Sequence, residues 1–202
     1  MQNVITRKLL EKSLSYSEYR KLTEKLLSEN KTTGPNQSLE LLEYTKLNFQ
    51  RLQRIEKTIA LQPELIDILQ NLTQPLTWVV LAEAWCGDVA QNLPLIAKMV
   101  DSSPSLELFI LLRDENPEVM DAYLTNGTRS IPKLICLKQE DLSEKGQWGP
   151  RPQPAQNMLL EHKKNPLSSK AEFTKNLHAW YAKDKGNTLQ QEFLQLLKSW
   201  VK

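Results

Sequence analysis

Two cysteines, six glycines and two histidines in 202 residues narrow what this chain can do before any motif is read. Cys86 and Cys136 are too few for a disulfide framework, and neither has partners at metal-ligand spacing, so no metal is expected. His162 and His178 lie far along the chain from both cysteines, and spacing gives neither histidine a partner. No stretch approaches the roughly 18 to 20 apolar residues that a membrane helix needs. Charges interrupt the amino terminus before a run of signal-peptide length accumulates. The expectation is a cytoplasmic protein with reduced thiols and no membrane partner. Lysine and arginine number 26 against 24 aspartate and glutamate, a formal net charge of +2, so no global field draws the chain to nucleic acid. There is no internal repeat and no low-complexity tract.

What is present is enough length for one core with helical additions. Residues 1 to 74 read as a helical extension. Ser15 and Glu18 have capping-box spacing, and Tyr16, Tyr19, Leu22, Leu26 and Leu27 form an apolar stripe that Gly34-Pro35 ends. A second helix starts near Ser38 and carries Leu41, Tyr44, Leu47, Leu52, Ile55 and Ile59; Pro63 opens a third. From 75 to 150 the pattern becomes strands alternating with helices. A strand over 76–83 precedes a helix over about 87–100, and a second strand spans 105–112. Pro117 then opens a short helix closed by Asn126-Gly127, a third strand is entered through Ile131-Pro132, and a fourth lies at Gln147-Trp148. That order predicts an α/β fold with a partly parallel sheet. In residues 151 to 202, the run Pro150-Arg151-Pro152-Gln153-Pro154 reads as a stiff extended connection. Two helices follow, over about 168–183 and 188–201, and Phe193, Leu194, Leu197, Trp200 and Val201 give the last a face that should dock on the core.

Cys86 is the one credible nucleophile. It sits where an apolar strand passes through Trp85 into Gly87 and a helix, facing unpaired backbone N–H groups that favour thiolate. Asp88 in the first helical turn suits the helix dipole, yet a like charge beside the sulfur disfavours thiolate. Composition and spacing leave that contest open. The blander reading of Cys86 is a small, partly buried hydrophobe. Trp85 either shelters the sulfur or simply packs, and Glu83 either relays a proton or sits solvated or ion-paired.

Four motifs in order resemble thioredoxin: Trp85-Cys86-Gly87 after an apolar strand, Pro94 eight residues on, Asp114-Glu115-Asn116-Pro117-Glu118 at a strand-to-helix junction, and Arg129-Ser130-Ile131-Pro132 before a strand. They span Leu76 to Trp148. Together with Asp88-Val89-Ala90-Gln91-Asn92-Leu93-Pro94 and Trp148-Gly149-Pro150-Arg151-Pro152, they are similar to a bacterial thioredoxin-like family with helical extensions. The resemblance implies a thioredoxin-like fold, a central mixed sheet flanked by helices, with amino- and carboxy-terminal helical extensions. It implies that Pro132 is a cis-proline facing Cys86, that the Ile131 backbone pairs with substrate, and that Trp85, Gly87 and Asp88 help position it. Arg129, just before that proline, would either hold the carboxylate of a small thiol or form a surface ion pair. Cys136, four residues past Pro132, lies about 13 Å along the strand, beyond the roughly 7 Å that a disulfide tolerates, and is assigned to the core.

Two departures from the thioredoxin pattern set the chemistry. Val89 stands where the second cysteine belongs, and Val80 where a buried aspartate belongs. The implied function is therefore monothiol thiol-disulfide exchange: Cys86 attacks a protein or small-molecule disulfide, and an external thiol such as glutathione or a relative resolves the adduct, with no bound cofactor. The alternative is a redox-silent binding or scaffold module using the face around Pro132. A glutathione-transferase-like arrangement fits less well, because such enzymes usually begin with the thioredoxin unit.

Overall fold

The computed structural model describes residues 4–164 and 169–201. Its amino-terminal helices are α1 (Arg7–Leu10), α2 (Tyr16–Ser28), α3 (Leu39–Thr58) and α4 (Pro63–Gln70). The capping box at the start of α2 is complete, with the Ser15 hydroxyl accepting from the Glu18 N–H at 3.2 Å and the Glu18 carboxylate accepting from the Ser15 N–H at 2.8 Å. α2 stops at Ser28, earlier than Gly34-Pro35, and Asn30 beyond it takes the left-handed conformation at φ 54°. Ser38 caps α3 as the sequence predicts. The inward face of α3 differs from the expected stripe: Leu42, Thr45, Asn48, Leu52 and Ile55 are buried, whereas Tyr44 and Leu47 are 38% and 43% exposed. Apolar residues lie on two sides of this helix, and only one side meets the core.

Four strands follow: β1 (Leu76–Ala82), β2 (Leu106–Leu112), β3 (Lys133–Lys138) and β4 (Glu144–Trp148), arranged in the order β2-β1-β3-β4. All seven residues of β1 are buried, which accounts for its unbroken apolar run. β1 and β2 are parallel, and the crossover that a parallel pair demands is α5 (Gly87–Asp101). β3 runs antiparallel to β1, from Leu76 opposite Lys138 to Leu81 opposite Lys133. That register brings the loop leaving β1, which holds Cys86, beside the loop entering β3, which holds Pro132. Between β2 and β3, the 3-10 turn Arg113–Glu115 leads into α6 (Pro117–Ala122). Asn126 and Gly127, at φ 50° and 72°, do not close α6. They form the turn of a bridge between Thr125 and Thr128, a role that two successive left-handed residues suit.

The proline-rich segment is a further correction. Helix α7 (Gln153–Lys164) begins inside it, because Pro154 occupies the first turn, where no N–H is required. Three helices thus follow β4 in the described residues, α7, α8 (Lys170–Asp184) and α9 (Asn187–Trp200); Ser168, the expected start of α8, lies outside those residues. α9 docks as predicted. Phe193, Leu197 and Trp200 are buried, with the Phe193 ring 5.2 Å from Trp78 and 5.4 Å from Trp148 between centroids. Gly146 on β4 permits the approach of Trp200, whose indole nitrogen would lie 2.1 Å from any Cβ there. The helices α1 to α5, the sheet and α9 contribute to one continuous hydrophobic cluster. Among the described residues, no helix is long and apolar enough to cross a membrane.

Phe193 is the residue on which this docking turns. Phe193→Ala should cost about 3–5 kcal/mol, read as a lower urea midpoint with an unchanged denaturant slope. A loss below about 1 kcal/mol would mean that α9 contributes little to the fold.

Candidate functional site

The chain leaves β1 through Glu83-Ala84-Trp85 and reaches Cys86, the residue preceding α5. The amino-terminal extension holds this turn in place. The Ala84 N–H donates to the Thr33 hydroxyl at 2.9 Å, and the Ala84 carbonyl accepts from the Asn48 amide at 3.2 Å. Trp85 is partly buried, with the Arg113 guanidinium 4.7 Å from its ring centre. Glu83 is not solvated and enters no ion pair among the described residues: it is 0% exposed, and its carboxylate accepts from the Asp114 N–H at 2.9 Å. Burial pushes its carboxyl up, opposed by the neighbouring Thr33 hydroxyl and the Asp114 backbone N–H, and its second oxygen, Oε2, has no hydrogen-bond partner among the described residues.

The Cys86 thiol donates to the Ile131 carbonyl at 3.3 Å, and the Ile131–Pro132 peptide is cis. Burial, reinforced by the Asp88 charge, pushes this thiol up to about 12, against the backbone N–H groups of Val89 and Asp88 and the Arg151 charge. The helix terminus does not win the contest that the sequence left open, because desolvation of the sulfur is the larger effect.

Asp88 is 8% exposed and fully engaged. One carboxylate oxygen accepts from Arg151 Nε at 3.1 Å and from Nη2, and the other accepts from the Tyr181 hydroxyl at 2.7 Å. Tyr181 in turn accepts from Asn92 at 3.1 Å. The carboxylate therefore fixes the first turn of α5 to α8 and to the segment after β4. Both of its oxygens are thus occupied by donors of the protein itself.

On the other side of the sulfur, α3 and α8 wall a cleft of about 430 Å³ whose lining includes Trp85, Cys86, Gly87, Arg51, Lys170 and His178. The His178 ring packs on Gly87 so closely that a Cβ there would lie 2.8 Å from the ring. The Gln91 amide is 3.1 Å from His178 Nδ1. An amide nitrogen only donates, so Nε2 carries the ring proton. Burial, with the Arg51 charge second, pushes His178 down to about 4.

Of the residues predicted from sequence, Trp85, Cys86 and Gly87 line the cleft, and Ile131 meets the sulfur from within the core. Arg129 does not line the cleft; it is exposed and holds Asp121 through two contacts of 2.6 Å. Cys136 is buried in β3 opposite Trp78. Arg51, Arg151, His178 and Tyr181 were not anticipated. Arg151 stands within the Trp148-Gly149-Pro150-Arg151-Pro152 motif, which was its only signal, and the other three had none. Among the described residues, no cluster of His, Cys, Asp and Glu could hold a metal ion.

A thioredoxin family model matches residues 34–171. The chain belongs to that thioredoxin family. Two crystal structures share the thioredoxin-like fold. One, a protein of unknown function from Pseudomonas aeruginosa, is 19% identical with a TM-score of 0.56; the match covers 92% of this chain and 98% of that one. The other, an HIV epitope-scaffold, is 17% identical with a TM-score of 0.55 over the same shares. No curated protein matches the chain.

Within this thioredoxin fold, His178 links the cleft to pH. An unfolded histidine titrates near 6.5, whereas His178 titrates near 4. Between those values the unfolded chain binds more protons, so stability present above pH 6.5 is lost as pH falls toward 4. Urea unfolding across that window should show a loss of about 2–3 kcal/mol that His178→Gln reduces. An unchanged pH slope in the variant would refute this assignment.

Proposed function

We propose that this thioredoxin-fold protein is a binding module whose cleft over Cys86 accepts a small molecule, with the thiol serving as a protonated part of the wall. The observation that carries this reading is the Cys86 S–H bond to the Ile131 carbonyl beside the anchored Asp88 carboxylate. A thiol pushed up to about 12 is held almost wholly as S–H at neutral pH, against a few per cent thiolate for an unperturbed cysteine. The Ile131 carbonyl, the implied acceptor for a substrate backbone, is already engaged. The narrowing of the site by α3 and α8 supports a small ligand over a protein surface. A reducing, cytoplasmic setting belongs to the same proposal.

Monothiol exchange is the second reading, favoured by a different observation. The sulfur lies at a cleft and precedes a helix of 15 residues, whose Asp88 and Val89 N–H groups reach it. In that reaction the Cys86 thiolate displaces one sulfur of a protein or small-molecule disulfide, and an external thiol such as glutathione then displaces Cys86 from the mixed disulfide.

Incubation of the reduced protein with oxidised glutathione at neutral pH, followed by intact-mass measurement, separates the two readings. The binding reading predicts no adduct on Cys86 and an alkylation rate that climbs only well into the alkaline range. A stoichiometric adduct that is absent from Cys86→Ser and removed by reduced glutathione would replace it with monothiol exchange.

A further inference from the structure

We infer that the cleft beside Cys86 binds a small organic anion, its carboxylate against Arg51 and Lys170 and its apolar body along Leu47 and Tyr44. This deepens the binding-module reading and rests on it.

The charge arrangement along α3 is the basis. Arg51 is half-buried, yet it enters no ion pair among the described residues; its Nη1 donates to the Asn48 side chain at 2.9 Å. A guanidinium has five N–H donors in a planar fork that matches a carboxylate, and a partly desolvated cation without a counter-ion is costly. Lys170, from the start of α8, adds a second cation to the lining. His178, its Nδ1 facing Gln91, lines the same cleft with its Nε2 edge packed on Gly87. Anion-accepting groups thus come from α3 and α8 together.

Further along α3 the character changes. Leu47 and Tyr44 precede Arg51 by four and seven residues, about 6 and 10 Å at helical rise. Both line the cleft and remain exposed at 43% and 38%. Glu40 lies eleven residues before Arg51, about 16 Å away, and its negative charge acts on the Tyr44 hydroxyl. Cation, apolar surface and carboxylate therefore succeed one another. The sequence suits a ligand whose single carboxylate lies about 6–10 Å from an apolar group. The Glu40 charge opposes a second acidic group at the far end, which disfavours dicarboxylates and polyanions.

The probe is 4-phenylbutyrate, titrated calorimetrically against the full chain, with its neutral amide and inorganic phosphate as comparisons. Saturable one-to-one binding of the carboxylate, about tenfold tighter than the amide, is the expected result, with phosphate weaker than the carboxylate. Arg51→Gln should abolish the preference for the carboxylate. Lys170→Gln, at an exposed position that does not threaten folding, should weaken carboxylate binding about threefold. Equal binding of acid and amide, or indifference to both substitutions, overturns the anion assignment while the binding module survives. No saturable binding of the acid also overturns it. A reversible glutathione adduct on Cys86 in that same preparation would remove the binding-module reading as well.

Discussion

A carboxylate buried at the first turn of a helix persists only if something neutralises it, and the Asp88 site meets that requirement with two side chains and a third that supports them. Arg151 supplies the opposite charge, Tyr181 a hydroxyl, and Asn92 a donor that orients the hydroxyl. The two charged side chains are only 12% and 10% exposed. In such surroundings, loss of one partner leaves an uncompensated charge costing about 3–5 kcal/mol. The positions of three segments therefore depend on one another: α5 at its amino end, the chain after β4, and α8. Because α8 also carries Lys170 and His178, the wall of the cleft is set by this contact.

The amino-terminal extension fixes the opposite wall by a different means. The turn between β1 and α5 has buried backbone groups that need partners. Ala84 obtains both from outside the sheet, through Thr33 and Asn48. Asn48 then also accepts from Arg51, so the residue that supports the cysteine turn orients the guanidinium in the cleft. The extensions thus form the site's sides; they are not appended to a finished thioredoxin unit. The turn at Cys86 therefore opens into a walled cleft, whereas extended peptides pair with bare strand edges.

Features determined by local rules were legible in the sequence. The capping box at Ser15, Pro63 in the first turn of α4, the apolar run of β1 and the junction at Cys86 each depend on a few neighbouring residues. The start of α7 was missed because three closely spaced prolines imply an extended chain unless one of them falls in a first turn, and spacing alone does not reveal that. The α3 stripe was assigned partly to the wrong face because Tyr44 and Leu47 continue the apolar periodicity while facing the cleft. His178 and Arg51 could not be placed at the cleft. They meet Gly87 only after β1, α3 and α8 have assembled, and no spacing in the chain encodes that meeting.

The same assembly decides the character of the sulfur. A helix terminus stabilises a neighbouring negative charge by about 0.3–1 kcal/mol when exposed, and by up to about 2 kcal/mol when partly buried. Burial, with the Asp88 charge second, instead pushes the Cys86 thiol up to about 12. Burial and the Asp88 charge therefore exceed what the helix offers. Val80 and Val89, at 0% and 1% exposed, complete an apolar setting where a dithiol site would require polar groups. Glu83 is buried nearby, yet it is bound to the Asp114 backbone, joining the cysteine turn to the turn after β2. The carboxylates at this site thus hold backbone and helices in position, and Cys86 remains a donor to Ile131 beside a cleft lined by Arg51 and Lys170.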